Sequence, residues 1–300
     1  MRLTALMRGV GVPEADFSGR ILELHTQTCL VAVSDETCLT LASAELGALP
    51  CGIAIDTPQG FSFWKMLTIG AGVATRSGIL RVAGSALAVD LRAAWTWRSE
   101  LSALTLNLGR AASRAAWLDL AATILADGRL DALRDGAAAA MAGLTAATHA
   151  GDTVAAQRAL SSLIGVGEGR TPAGDDYLVG YAAGLLACGE AGPPPAFTAA
   201  LLSELGNLAR ETNRVSRLYL EAAAKGEISQ RLYRVAAAMA RGADRAEREC
   251  AVADALAVGH SSGAAGLLGL LHGSAAGSMS KRQIGLRAPF KTSSPRPGGQ

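Results

Sequence analysis

"RAASRAAWLDLAATILADG", residues 110–128, decides the fold. Its apolar residues, among them Ala115, Leu118, Leu120 and Leu125, recur at helical spacing, and Gly128 stops the run. Nothing before residue 100 reads this way. "RILELHT" (20–26), "TCLVAVS" (28–34) and "TCLTLAS" (37–43) are short, rich in β-formers and separated by turn residues. "GIAIDT", "MLTIGAGVAT", "GILRVAG" and "SALAVDL" add further strands at similar spacing. After residue 128 alanine-rich helical patterning predicts helices at 130–149, 153–164, 175–188, 196–211, 214–225, 228–241 and 244–257, with a last one from Ser262. Asp152 is placed to cap one of them, and Lys225-Gly226 to end another.

The expected fold class is therefore α+β. A β-rich barrel or sandwich occupies residues 1–105, and an all-helical domain with glycine-rich loops occupies 106–280. Residues 281–300, basic and rich in Pro, Gly and Ser, read as a disordered tail.

Half of the 300 residues are hydrophobic, which is enough for a sizeable core. A net charge of +2, with no Lys/Arg block, leaves no electrostatic footprint for nucleic acid. Cys29, Cys38, Cys51, Cys188 and Cys250 are odd in number and contain no C-x-x-C pair, so they read as reduced core residues of a cytoplasmic protein. The first residues lack the apolar run of a signal peptide. The apolar stretch 250–276 is broken by His260, serines and glycines, and reads as a buried helix pair rather than a membrane span.

Three segments are poor core fillers. In "SLIGVGEGRTPAGDDYLVGYAAGLL" (161–185), Gly165, Gly167 and Gly169 alternate, Thr171 and Pro172 stiffen the approach, and Gly174 leads into Asp175 and Asp176 at a helix entrance. The preceding helix excludes a dinucleotide fingerprint, and no P-loop lysine is present. Free N–H groups at such an entrance suit an anion. The two acids admit two readings: they cap the helix and complement its dipole, or one orients a polar substrate group or holds Mg²⁺. No tightly held metal and no cofactor are expected. Gly180 and Gly184, four apart, suit close helix packing.

In "AVGHSSGAAGLLGLLHG" (257–273), Ser261 or Ser262 can cap the last helix. His260 is either a base or anion donor, or a buried residue bonded to backbone. Between these segments, Thr212 and Asn213 break a helix, Ser216 lies one turn beyond, and Arg210, Arg214 and Arg217 cluster around the break. Arginines there either recognise carboxylate or phosphate, or form a solvated face.

In this order the segments resemble a bacterial family associated with AllH, a subunit of oxamate carbamoyltransferase. The pattern G-x-G-x-G-L-T-P-x-G-D-D-x-L-x-G falls on Gly165 to Gly180. T-T-x-x-S before A-x-G falls on Thr212 to Gly226, and G-H-S-S-G-x-D on Gly259 to Ala265. Arg170, Asn213 and Ala265 depart from it, standing where the pattern has Leu, Thr and Asp. The resemblance implies a component of a multi-subunit enzyme that exchanges a carbamoyl group between carbamoyl phosphate and oxamate, giving oxalurate and phosphate. In purine-ring (allantoin) catabolism it would run towards carbamoyl phosphate. The implied partners are FdrA-like and AllG-like subunits.

On that reading Gly165, Gly167, Gly169, Thr171 and Gly174 line an anion pocket. Asp175 or Asp176 orients the carbamoyl NH₂, and His260 with Ser261 and Ser262 completes the site, with Arg214 and Ser216 as further binding residues. Two other readings stay open: a non-catalytic scaffold of such a complex, and a stand-alone small-carboxylate-binding protein. The three segments are expected to line one cleft facing the β-rich region. A bulky residue at Gly167 is expected to abolish ligand binding and spare the fold.

Overall fold

The computed structural model describes residues 1–278, so the tail expected at 281–300 lies outside the described residues. Nine strands come first: β1 (Arg2–Gly9), β2 (Ser18–Leu24), β3 (Thr28–Ala32), β4 (Cys38–Ser43), β5 (Gly52–Asp56), β6 (Gly72–Arg76), β7 (Ile79–Val82), β8 (Ala88–Asp90) and β9 (Trp95–Trp97). A single helical turn, α1 (Phe63–Met66), lies between β5 and β6. The sheet order is β5-β4-β3-β2-β6-β7-β8-β1-β9, and β1 also pairs with β5, which closes eight strands into a barrel. β1 accomplishes this by changing partners. One edge runs antiparallel to β5 from Thr4 to Arg8, while the other is parallel to β8 at Arg2–Thr4 and to β9 at Met7–Gly9. Closure removes the free edges an open sheet would expose.

The barrel interior is filled by inward-facing residues such as Ile21, Val31, Leu41, Ile53 and Leu80. β4 is buried at all six positions. Its inner face fills the barrel and its outer face is covered by the helical domain, which is why its sequence does not alternate cleanly. The sequence reading missed two strands. β1 lies at the start of the chain, and β9 is only three residues long.

The helical domain comprises α2 (Ala111–Leu125), α3 (Asp131–Ala150), α4 (Thr153–Leu163), α5 (Ala173–Ala187), α6 (Pro195–Leu208), α7 (Arg214–Ala224), α8 (Gln230–Arg241), α9 (Arg245–Leu256) and α10 (Ser262–Ser278). Asp152 caps α4, accepting the Ala155 N–H at 2.9 Å. α2 turns a different face inward from the one its apolar residues suggested. Ala116, Leu120 and Ile124 are buried, whereas Leu118 and Leu125 are exposed.

At the centre lie α5 and α10, both apolar nearly all round, as helices enclosed on every side must be. They touch backbone to backbone. A Cβ on Gly180 would stand 1.9 Å from the Gly266 carbonyl oxygen, and one on Gly184 2.4 Å from that of Leu270. One on Gly269 would stand 1.9 Å from the Tyr177 oxygen, and one on Gly273 2.1 Å from that of Tyr181. Rising numbers on one helix meet rising numbers on the other, so the pair is parallel. Both N-termini therefore lie at the same end.

Polar clasps join barrel and helices. The Trp97 indole N–H donates to the Ile228 carbonyl at 3.1 Å, and the Ser99 N–H donates to the buried Glu227 carboxylate at 2.8 Å. Ala48 and Gln230 exchange two hydrogen bonds. Leu30 and Cys38 on the outside of the barrel pack against Val215 of α7, with Tyr219 beside them. All five cysteines are free; Cys250 is exposed rather than in the core. Among the described residues no helix is long and apolar enough to cross a membrane.

Candidate functional site

The glycine loop folds back over the helix it introduces. α5 begins at Ala173, directly after Pro172, so Asp175 and Asp176 lie in its first turn rather than at its cap. The Gly174 N–H donates to the Val166 carbonyl at 2.8 Å, and a Cβ on Gly174 would collide with the Leu163 oxygen at 2.1 Å. Gly167, at φ +107°, brings the loop against Ala173.

Neither acid caps α5, which corrects that reading. Asp175 is 1 % exposed and both its oxygens are engaged. Oδ1 accepts the Gly165 N–H at 2.7 Å and Oδ2 accepts the Thr212 hydroxyl at 2.6 Å. It binds the glycine loop to the helix break before α7. Asp176 lies beneath the paired N-termini. Thr171 and Ser262 share a hydroxyl–hydroxyl hydrogen bond of 2.8 Å, and both hydroxyls lie near enough to the Asp176 carboxyl to influence its titration. Its Oδ2 is buried without a partner. Burial pushes this carboxyl up to about 7. The nearby Ser262 and Thr171 hydroxyls oppose that rise, and the Asp175 charge adds to it.

The structure thus brings the three polar segments together by hydrogen bonds. Asn213 caps α7, accepting the Val215 and Ser216 N–H groups at 3.0 and 3.1 Å. Ser216 is 2 % exposed and its hydroxyl has no partner. It stands one turn from Thr212, which holds Asp175, and three residues before Tyr219, which interacts electrostatically with Asp176. The three-residue spacing puts Ser216 and Tyr219 on one side of α7. His260 is exposed; its carbonyl accepts the Arg129 guanidinium at 3.2 Å. Ser261 precedes α10, and its carbonyl accepts the Ala265 N–H at 2.9 Å. Gly165 and Gly169 face open space.

Two departures from the family pattern acquire a structural meaning. Arg170 forms an ion pair with Glu23 of β2 at 2.9 Å, tying the glycine loop to the barrel. Ala265 is fully buried in the first turn of α10, so no second carboxyl approaches from that helix.

The open cavity beside these segments, about 180 Å³, is not lined by the glycine loop or the His260 loop. Asp35, Glu36 and Cys38 of the barrel form one wall, and Arg210, Thr212 and Arg214 contribute to the other. The expectation of one cleft lined by all three segments is corrected accordingly: they meet in a bonded junction, and only the middle one reaches this cavity. A second hollow, about 260 Å³, is lined wholly by barrel residues. Among the described residues no group of three or more His, Cys, Asp or Glu is placed to hold a metal ion.

Sequence reasoning missed Tyr219, Arg129 and Glu23. Tyr219 lies in the seam between barrel and helices, and desolvation holds its phenol up to about 12. Its position three residues after Ser216 was the available signal. Nothing local announces Arg129 or Glu23.

Residues 163–274 match the family model described as oxamate carbamoyltransferase subunit AllH. The matched segment contains all three motifs, α5 and most of α10, so the resemblance read from the motifs is borne out there. The barrel lies outside it. No curated protein and no solved structure matches the chain.

Proposed function

We propose that this chain is the subunit of an oxamate carbamoyltransferase-like enzyme that binds the carbamoyl donor, at the paired N-termini of α5 and α10. The observation that carries this reading is Asp176. It is the acid whose Oδ2 has no partner, in the junction of the matched segment. Asp175 has no oxygen to spare, so the role of orienting the carbamoyl NH₂ falls to Asp176, with Asp175 holding the loops. Two adjacent helix starts bring two positive dipole ends together, which favours a phosphate.

In the reaction the amide nitrogen of oxamate bonds to the carbamoyl carbon and loses a proton. The carbon–oxygen bond to phosphate breaks, and phosphate leaves with the electron pair; the reverse converts oxalurate and phosphate to carbamoyl phosphate and oxamate. A carboxyl near 7 is matched to proton exchange at neutral pH. The partners on this reading are FdrA-like and AllG-like subunits, and the setting is purine-ring catabolism.

The test is phosphate-dependent cleavage of oxalurate by the assembled subunits. Asp176→Leu, of similar shape without polar atoms, is expected to lower kcat by about 10²-fold or more. Full activity of that variant in the complex would assign the chemistry to a partner and leave this chain a scaffold. The internal hydrogen bonds of Asp175 and of Thr171 with Ser262 favour that second reading, because they hold the segments together without any ligand.

A further inference from the structure

The cavity between the β3–β4 hairpin and the helix break before α7 has walls of opposite charge, with the Glu36 charge felt by Arg217 across it. On the helical wall, Arg217 is neutralised by Glu221 at 2.7 Å. Arg210 and Arg214 have no carboxylate within ion-pair distance among the described residues, and the Arg214 charge is felt by buried Cys38 across the seam. On the barrel wall, Asp35 and Glu36 likewise have no ion-pair partner among the described residues. Thr212 connects the cavity to the site above. It lines the cavity, and its hydroxyl bonds to Asp175, the neighbour of Asp176.

Unpaired guanidiniums are fork-shaped donors suited to a carboxylate, and carboxylates across a narrow gap accept from N–H groups. A ligand with one anionic end and one N–H end satisfies both walls. A dicarboxylate meets repulsion at Asp35 and Glu36, and a neutral diamide leaves the arginines without a counter-charge. We infer that this cavity is a binding site for a small carboxylate bearing an amide or amine N–H, with its carboxylate on Arg210 and Arg214 and its nitrogen towards Asp35 and Glu36. Its identification as the carbamoyl-acceptor site rests on the function proposed above; the binding itself does not.

The experiment is calorimetric titration of the full chain with oxamate, oxalate and oxamide, which share a two-carbon frame and differ only in their ends. Oxamate is expected to bind at least about tenfold more tightly than either of the others. Arg214→Gln and, separately, Arg210→Gln are expected to weaken oxamate by about tenfold with an unchanged melting temperature. Glu36→Gln is expected to narrow the gap between oxamate and oxalate. The inference is overturned if oxalate binds the wild type as tightly as oxamate, if oxamate does not bind, or if both arginine variants keep wild-type affinity. Oxamate binding by an assembled wild-type complex that shows no carbamoyl transfer would retire the proposed function and leave this site standing.

Discussion

Both oxygens of Asp175 accept hydrogen bonds, whereas Asp176, one residue on, keeps a buried oxygen without a partner. On the proposed function that difference selects Asp176 for the chemistry, and it has a thermodynamic signature. An ordinary aspartate titrates near 3.9. Asp176, held up to about 7 by burial, keeps its proton over a range where the unfolded chain has lost it. Its contribution to stability is therefore fully present below about pH 4 and is lost as pH rises through about 7. Three units at 1.36 kcal/mol each set a scale of ~4 kcal/mol. Asp176→Asn, which stays neutral, is expected to flatten the fall in stability over that window and to exceed the wild type at about pH 8. Urea unfolding at about pH 5 and about pH 8 checks this; an unchanged slope in the variant contradicts it. The sequence displayed both acids but could not rank them, because their partners come from Gly165, Thr212, Thr171 and Ser262, as far as 86 residues away by numbering from Asp176 to Ser262.

The parallel contact of α5 and α10 makes the site at the element scale, since an antiparallel pair would separate the two N-termini by a helix length. Glycines permit the contact, and they do so unequally. A Cβ on Gly269 would stand 1.9 Å from the Tyr177 oxygen and 2.7 Å from the Tyr181 nitrogen, both backbone atoms that cannot step aside. On Gly266 the nearest atom is 3.7 Å away, an ordinary contact. Gly269→Ala is therefore expected to destabilise by ~3 kcal/mol or more. Gly266→Ala is expected to be neutral or to stabilise by ~0.5–1 kcal/mol through helix propensity. Thermal unfolding of the two variants checks the pair; equal effects would contradict the packing. Gly167 proves a poor place to test binding alone. Its φ is +107°, and a Cβ there would stand 2.9 Å from the Ala173 nitrogen, so a side chain disturbs the loop itself. Helix existence was legible from periodicity and caps such as Asp152, and close packing from Gly180 and Gly184. The parallel orientation was not legible, because glycine spacing is the same in either direction.

Across the whole molecule, the barrel is the wall against which the helical site is built. β3 and β4 turn Leu30 and Cys38 outward onto α7, Tyr219 packs beside them, and Arg170 reaches Glu23. Alternation and turn residues revealed a β-rich half, but closure depended on β1 holding β5 on one edge and β8 and β9 on the other, a pairing no local pattern encodes. The expectation that the polar segments face the β-rich region follows from the same contacts. The account's central claim is that Asp176, under the paired helix starts, holds the carbamoyl end of the donor. It is tested most directly by calorimetric titration of the full chain, alone and in its complex, with phosphonoacetamide, a stable analogue that keeps the carbamoyl NH₂ and the phosphoryl charge. The account predicts saturable binding that weakens by at least about tenfold in Asp176→Leu. Equal affinity in the folded variant and the wild type would contradict it.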